Sequence, residues 1–93
     1  MSVKRINEFT AKESKGAELG EFLASITTHV RTLPGCISCE FYKHGTDALR
    51  YIILEEWESV EVHQQAAKHI PPEMMQQAMS LFGAPPRGTY YNE

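Results

Sequence analysis

The segment YIILEEW, Tyr51 to Trp57, constrains the fold more than any other stretch of the chain. Its composition is that of a strand, and on a strand successive side chains point to opposite faces. Tyr51, Ile53 and Trp57 then share one face, and Ile52 and Leu54 share the other. Both faces are apolar and both need cover. Cys36 to His44 reads the same way, with Ile37, Cys39 and Phe41 set against Cys36 and Tyr42. One helical layer covers only one face of a sheet, and an uncovered second face would exceed the apolar patch of an ordinary monomer. A second subunit is therefore expected there, sheet against sheet. At ~25 cal/mol per Å², an interface of ~1,500 Å² supplies what so small a core lacks. Glu55 and Glu56 interrupt the pattern. One of them points into each layer, so each needs a hydrogen-bonding partner or an edge position.

The rest of the 93 residues falls into place around this strand as one domain spanning 1–93. Val3 to Ala11 reads as a strand with Val3, Asn7 and Phe9 facing one way and Ile6 and Thr10 the other. ESKG starts a helix whose apolar residues, Leu19, Phe22, Leu23, Ile26, Val30 and Leu33, recur at helical spacing. Pro34–Gly35 ends it. HGTDA turns the second strand into the third, making an antiparallel hairpin. Ser59 is placed to cap a short helix running to about Lys68, with Glu61 in its first turn. Pro71–Pro72 breaks that helix and opens another. Met75, Ala78, Met79 and Phe82 are its expected apolar stripe. GAPPRG reads as a loop and TYYNE as a last short strand. The order β-α-β-β-α-α-β predicts an α+β fold: a ferredoxin-like split βαβ with a four-stranded antiparallel sheet, helices on one face.

Composition narrows the function. The net charge is −3, the pI is about 5.8, and the nine Lys and Arg are scattered. Nucleic acid binding, which needs a concentrated basic face, is not expected. No stretch nears the ~20 apolar residues of a membrane span, and MSVKRINEF is no signal peptide, so a cytoplasmic location is expected. Cys36 and Cys39 form CISC. On a regular strand they fall ~10 Å apart on opposite faces, too far for a disulfide. His63 and His69 do not complete any common zinc spacing. The cysteines read as small apolar residues in a reducing compartment. No metal site is expected.

Three stretches, INEFTAKESKGAELGEFL, LPGCISCEFYKH and IILEEWESVEVH, carry a wider pattern. An N-x-F-T strand leads into a helix, P-G-C leads into the second strand, and E-x-W-x-S joins strand to helix. Together they resemble the antibiotic biosynthesis monooxygenase (ABM) family over nearly the whole chain. The tail LFGAPPRGTYYNE is similar to a subgroup of small bacterial members, and quinol-monooxygenase-like chemistry is among the family's activities. The resemblance implies a dimeric α+β barrel, in agreement with the two-faced strands. It implies varied chemistry: oxidation of quinols or polyphenols by O2 without metal or flavin, haem degradation, or action on signalling molecules. In haem-degrading members the catalytic Trp falls near Ala66 or Ala67 and the His near Gln77, so haem degradation is not expected. Quinol-type members often carry a His near Ala66, displaced from His63.

Candidate site residues follow. Asn7 sits mid-strand, where Asn is disfavoured. It is either an edge or backbone-satisfied amide, or, as the resemblance implies, a donor to a substrate oxygen held as an anion. Trp57 is a core aromatic with a capped N–H, a wall for an aromatic substrate, or both. His63 is a helix-boundary residue or a general base taking a phenolic proton. His69 suits a helix end, and His29 and His44 suit surface or turn positions. Phe9, Phe41, Ile53, Met75, Met79 and Phe82 are core, or else the lining of an adaptable apolar pocket. The expected function is cofactor-independent monooxygenation of a small aromatic quinol or polyphenol. The alternative is an isomerase-like enzyme or a dimeric binding module without turnover.

Overall fold

The computed structural model describes residues 2–92. Its elements are β1 (Val3–Thr10), α1 (Gly16–Val30), β2 (Cys36–Lys43), β3 (Arg50–Trp57), α2 (Val60–Ala67), α3 (Pro72–Leu81) and β4 (Arg87–Tyr91). The strands form one sheet in the order β2-β3-β1-β4, and every neighbouring pair is antiparallel. This is the expected α+β, ferredoxin-like arrangement.

One face of the sheet carries the core. Val3, Tyr51, Ile53 and Trp57 are buried there with Leu19, Phe22, Leu23 and Val30 of α1, Ala66 of α2, and Ala78 and Leu81 of α3. The spacing of those α1 residues puts them on one stripe of the helix. Tyr51 fixes the other end of the layer by donating its hydroxyl to the Gly16 carbonyl at 2.7 Å. Ser59 caps α2 as expected, its Oγ accepting from the Val62 N–H at 3.1 Å. Pro72 is the first residue of α3, where a missing N–H costs nothing.

Several boundaries differ from expectation. α1 ends at Val30, and Leu33 lies in tight turns closed by Thr32 N–H to His29 O and Leu33 N–H to Val30 O, both 3.0 Å, though it still packs on the core. Gly35 then takes φ 86°, and a side chain there would run into Val62. β4 starts at Arg87, because Arg87 and Gly88 already pair with Glu8 and Asn7. Of the expected last strand, Glu93 lies outside the described residues. His44 is a turn residue whose Nδ1 accepts from the Thr46 and Asp47 N–H groups, and His69 is exposed just past α2. His29 is half-buried rather than at the surface.

A β-bulge corrects the reading of β2. Cys36 pairs with Trp57 but Ser38 pairs with Glu56, so Ile37 is the extra residue and is 54% exposed. Cys36, Cys39 and Phe41 therefore share the helix-facing side, and the expected opposition of Cys36 to Cys39 does not hold. Both thiols are free. Burial pushes both up, Cys39 to about 12, which leaves them unreactive packing groups.

The outer face of the sheet is apolar at its centre and is not covered by any of the described residues. Ile6 and Leu54 are cross-strand partners at its centre, and Tyr42, Ile52 and Tyr91 are exposed around them.

Candidate functional site

A cavity of about 280 Å³ lies between the inner sheet face and the helices. Alternate residues of two adjacent strands floor it: Arg5, Asn7 and Phe9 from β1, and Ile53, Glu55 and Trp57 from β3. Phe22, Leu23 and Ile26 of α1 and Met74, Met75 and Ala78 of α3 roof it with apolar side chains, while α2 adds His63. Phe82 closes one end and stacks on Phe9 at 5.7 Å. The structure thus brings Asn7, Trp57, His63, Phe9, Ile53, Met75 and Phe82 to one cavity.

Two expected lining residues fall elsewhere. Phe41 belongs to β2, across Ile53, and stacks on Tyr51 at 5.5 Å instead of reaching the cavity. Met79 is 69% exposed. The inward stripe of α3 is Met74, Ala78 and Leu81, one residue out of phase with the expected one, and one residue on a helix is a turn of about 100°.

The polar groups converge on one wall, and Glu55 is their hub. It is 6% exposed. Its Oε1 accepts from Trp57 Nε1 at 2.6 Å and its Oε2 from Asn7 Nδ2 at 2.8 Å. Asn7 is thus satisfied by a carboxylate, not by backbone, on a strand interior to the sheet. Its second amide hydrogen is not used by this contact. Trp57 is at once core aromatic, capped indole and cavity wall. The side chain of His63 meets Trp57 edge-on at 5.2 Å between rings, and its Nδ1 lies 2.5 Å from the Tyr90 hydroxyl. Its Nε2 is 3.9 Å from Glu55 Oε1. With Tyr90 donating to Nδ1, the ring proton sits on Nε2 and faces the carboxylate. Gly88 makes this packing possible. It pairs with Asn7 on β4, and a side chain there would strike the Arg5 guanidinium and Asn7 Oδ1.

Burial sets the ionisation of this wall. Burial pushes the Glu55 carboxyl up, against the opposing pull of the Trp57 N–H, the Arg5 charge and the Asn7 amide. Burial, aided by the Arg5 charge, pulls His63 down to about 4, so its ring is neutral near pH 7. A buried carboxylate held by two donors beside a neutral imidazole is an acid–base pair poised to accept a proton. Among the described residues no group of three His, Cys, Asp or Glu side chains is arranged to hold a metal ion.

Sequence reasoning saw Glu55 only as a charge in need of a partner, and it passed over Arg5 and Tyr90. Arg5 had a readable signal, since it shares the strand period of Asn7 and Phe9. Tyr90 had none, because its place depends on how β4 pairs.

The model of the antibiotic biosynthesis monooxygenase family matches residues 2–79. The chain belongs to the ABM family. Solved structures agree on the fold. Rv0793 from Mycobacterium tuberculosis superposes with a TM-score of 0.85 at 20% identity, covering 100% of this chain and 95% of that one. SnoaB from Streptomyces nogalater, a cofactor-independent oxygenase, gives 0.82 at 15% identity, covering 99% and 92%. PA3566 from Pseudomonas aeruginosa gives 0.85 at 13% identity, covering 99% and 93%. No curated protein matches this ABM chain in sequence. No helix among the described residues is long and apolar enough to cross a membrane.

Proposed function

We propose that this ABM protein is a cofactor-independent monooxygenase of a small aromatic hydroxyl compound, a quinol or polyphenol, using O2. One observation carries the reading: an apolar cavity of about 280 Å³ has all its polar side chains gathered on one wall. An aromatic ring fits between Trp57, Phe9 and the α1 and α3 side chains. Its hydroxyl then meets the wall, where Glu55, positioned by His63, takes up the proton and the second N–H of Asn7 donates to the oxyanion. Holding the substrate as its electron-rich anion in a dry cavity is what electron transfer to O2 requires. The resemblance of the fold to SnoaB supports this reading.

The working unit in this proposal is a homodimer in the cytoplasm. In it the exposed Ile52, Tyr42 and Tyr91 of the outer sheet face pack against the same face of a second copy, related by a two-fold axis. Ile52→Glu is expected to give a monomer by light scattering coupled to size exclusion. A dimer of unchanged mass would remove this face from the interface.

Oxygen uptake against a panel of reduced naphthoquinols and anthrones tests the activity, with autoxidation subtracted and chelator present. Saturable uptake, reduced at least tenfold in Asn7→Ala and in His63→Ala, is the expected result. Full turnover in both variants would sink the assignment of roles. Turnover insensitive to O2 removal would make the protein an isomerase.

A further inference from the structure

Arg5 and Glu55 are directly opposed partners in the β1–β3 register, and both face the cavity. Opposed residues on one face of an antiparallel pair have Cβ atoms about 5 Å apart, close enough for an ion pair. None forms. Among the described residues no carboxylate lies within 4.0 Å of the Arg5 guanidinium. Each side chain is drawn off by other partners. Glu55 is held by Asn7 and Trp57, and the Arg5 guanidinium rests 4.8 Å from the centre of the Tyr90 ring. Two opposite charges in a half-buried apolar site would ordinarily close on one another, because each is costly there alone. Here the packing keeps them apart.

The geometry points to Arg5 and Glu55 as an open ion pair that an acidic ligand hydroxyl, a phenol or an enol, closes by entering between them. The ligand O–H bond breaks and a Glu55 O–H bond forms. The electron pair stays on the ligand oxygen, which then pairs with the Arg5 guanidinium. Charge is conserved: the carboxylate's negative charge moves to the ligand and Arg5 stays its counter-charge. No oxidant takes part. Each Glu55 oxygen has a lone pair left after its bond to Asn7 or Trp57, so both bonds survive the transfer. Burial already favours the protonated carboxyl. His63, neutral and bonded through Nδ1 to Tyr90, acts as a positioning residue whose Nε2 faces Glu55. Cys36 and Cys39 of β2 are close enough to feel the Glu55 charge, Tyr90 of β4 reaches His63, and α1 and α3 contribute only apolar side chains to the cavity. A carboxylic acid is the wrong ligand, since it arrives ionised and sets a second negative charge against Glu55.

This rests on the cavity being a site for aromatic hydroxyl compounds, but it does not need oxygen chemistry. The test is anaerobic titration with 4-nitrophenol, whose neutral and ionised forms differ in colour. Controls are 4-nitroanisole, which lacks the O–H, and 4-nitrobenzoate. Wild type is expected to bind the phenol at least tenfold tighter than either control. The bound phenol should be ionised at a pH where the free phenol is mostly neutral. Binding of the phenolate at higher pH should take up close to one proton. Arg5→Gln should lose the ionisation and at least tenfold in affinity, while Arg5→Lys recovers part of both. Glu55→Gln should bind the phenolate with no proton uptake. Trp57 fluorescence checks that each variant is folded. Equal binding of phenol and anisole, no binding of the phenol, or wild-type proton uptake in Glu55→Gln would each overturn the inference. Ionised phenol without oxygen uptake on the quinol panel would leave this inference standing and remove the monooxygenase. Wild-type quinol turnover in Arg5→Gln would do the reverse.

Discussion

Glu55 and Glu56 are neighbours on one strand and live in opposite environments. Glu55 points inward, where burial pushes its carboxyl up and two N–H groups are fastened to it. Glu56 points outward, where the Ser2 hydroxyl at 2.5 Å and the Lys4 ammonium at 3.3 Å pull its carboxyl down. The chemistry of the residue is the same, and only the strand's alternation differs. The two faces of this sheet are therefore two different media. The inner face lies under the helices and holds the Glu55 carboxyl in fixed contacts. The outer face is apolar at its centre but ringed by charges that water or a second copy can reach.

The comparison breaks most sharply at the largest inner residue. Trp57→Ala should cost about 3–5 kcal/mol in chemical denaturation, since it empties a core position and strips a donor from Glu55. A loss below about 1 kcal/mol would mean that the inner face is not packed as described. Glu55→Ala comes next, at about 1–3 kcal/mol, because it orphans the Asn7 and Trp57 donors. Glu55→Gln should cost less, as its amide oxygen still accepts one of them.

Acid titration separates the inner groups by sign. In the folded chain His63 ionises at about 4, against 6.5 when unfolded. The unfolded chain binds the proton first, so stability should fall as pH drops from 6.5 towards 4, by on the order of 2 kcal/mol. Glu55 has the opposite slope. Its folded value is raised above 4.5, so its contribution is lost as pH climbs through that folded value. His63→Gln should remove the rise in stability between pH 4 and 6.5, and Glu55→Gln should remove the opposing loss that sets in as pH climbs above 4.5. Denaturant midpoints measured from pH 4 to 8 decide this, and an unchanged acid limb in His63→Gln would place the ring in water.

How far these media could be read in the sequence depended on what sets each one. Period-two alternation in Tyr51–Trp57 is a local property, and it agrees with the faces of β3 and with the fold. It also showed that one glutamate had to point inward. It could not say that Asn7 would be that glutamate's partner, because their contact spans 48 positions and depends on strand register. Ile37 defeated the alternation in β2, since a bulge is a decision of the pair and not of the strand. In α3 the methionines misled by one position: Met74 and Met75 are equally apolar, and only packing against α1 chooses between them. Tyr90 joins the site through β4 pairing, the longest-range choice among the strands, whereas Arg5 follows the period of β1.

The smallest expected effect is the most diagnostic. Glu56→Gln removes a contact made on the outer face with Lys4, whose side chain is 45% exposed. An exposed pair of this kind contributes little to stability, and what it contributes is screened by salt. Stability at pH 7 should be nearly unchanged, with only a slight loss of salt dependence. The pull of Ser2 and Lys4 lowers this carboxyl, so the wild-type contribution is present above 4.5 and fades as pH falls below it. Measured in parallel, Glu55→Gln and Glu56→Gln should therefore differ in size and in the sign of their pH dependence. If they instead match in size, Glu56 is enclosed by the second copy, and the outer face is as dry as the inner one. That result would shift the contrast from the two faces of one chain to the monomer and the dimer, and repeating Glu56→Gln in the Ile52→Glu background would show it by restoring the difference.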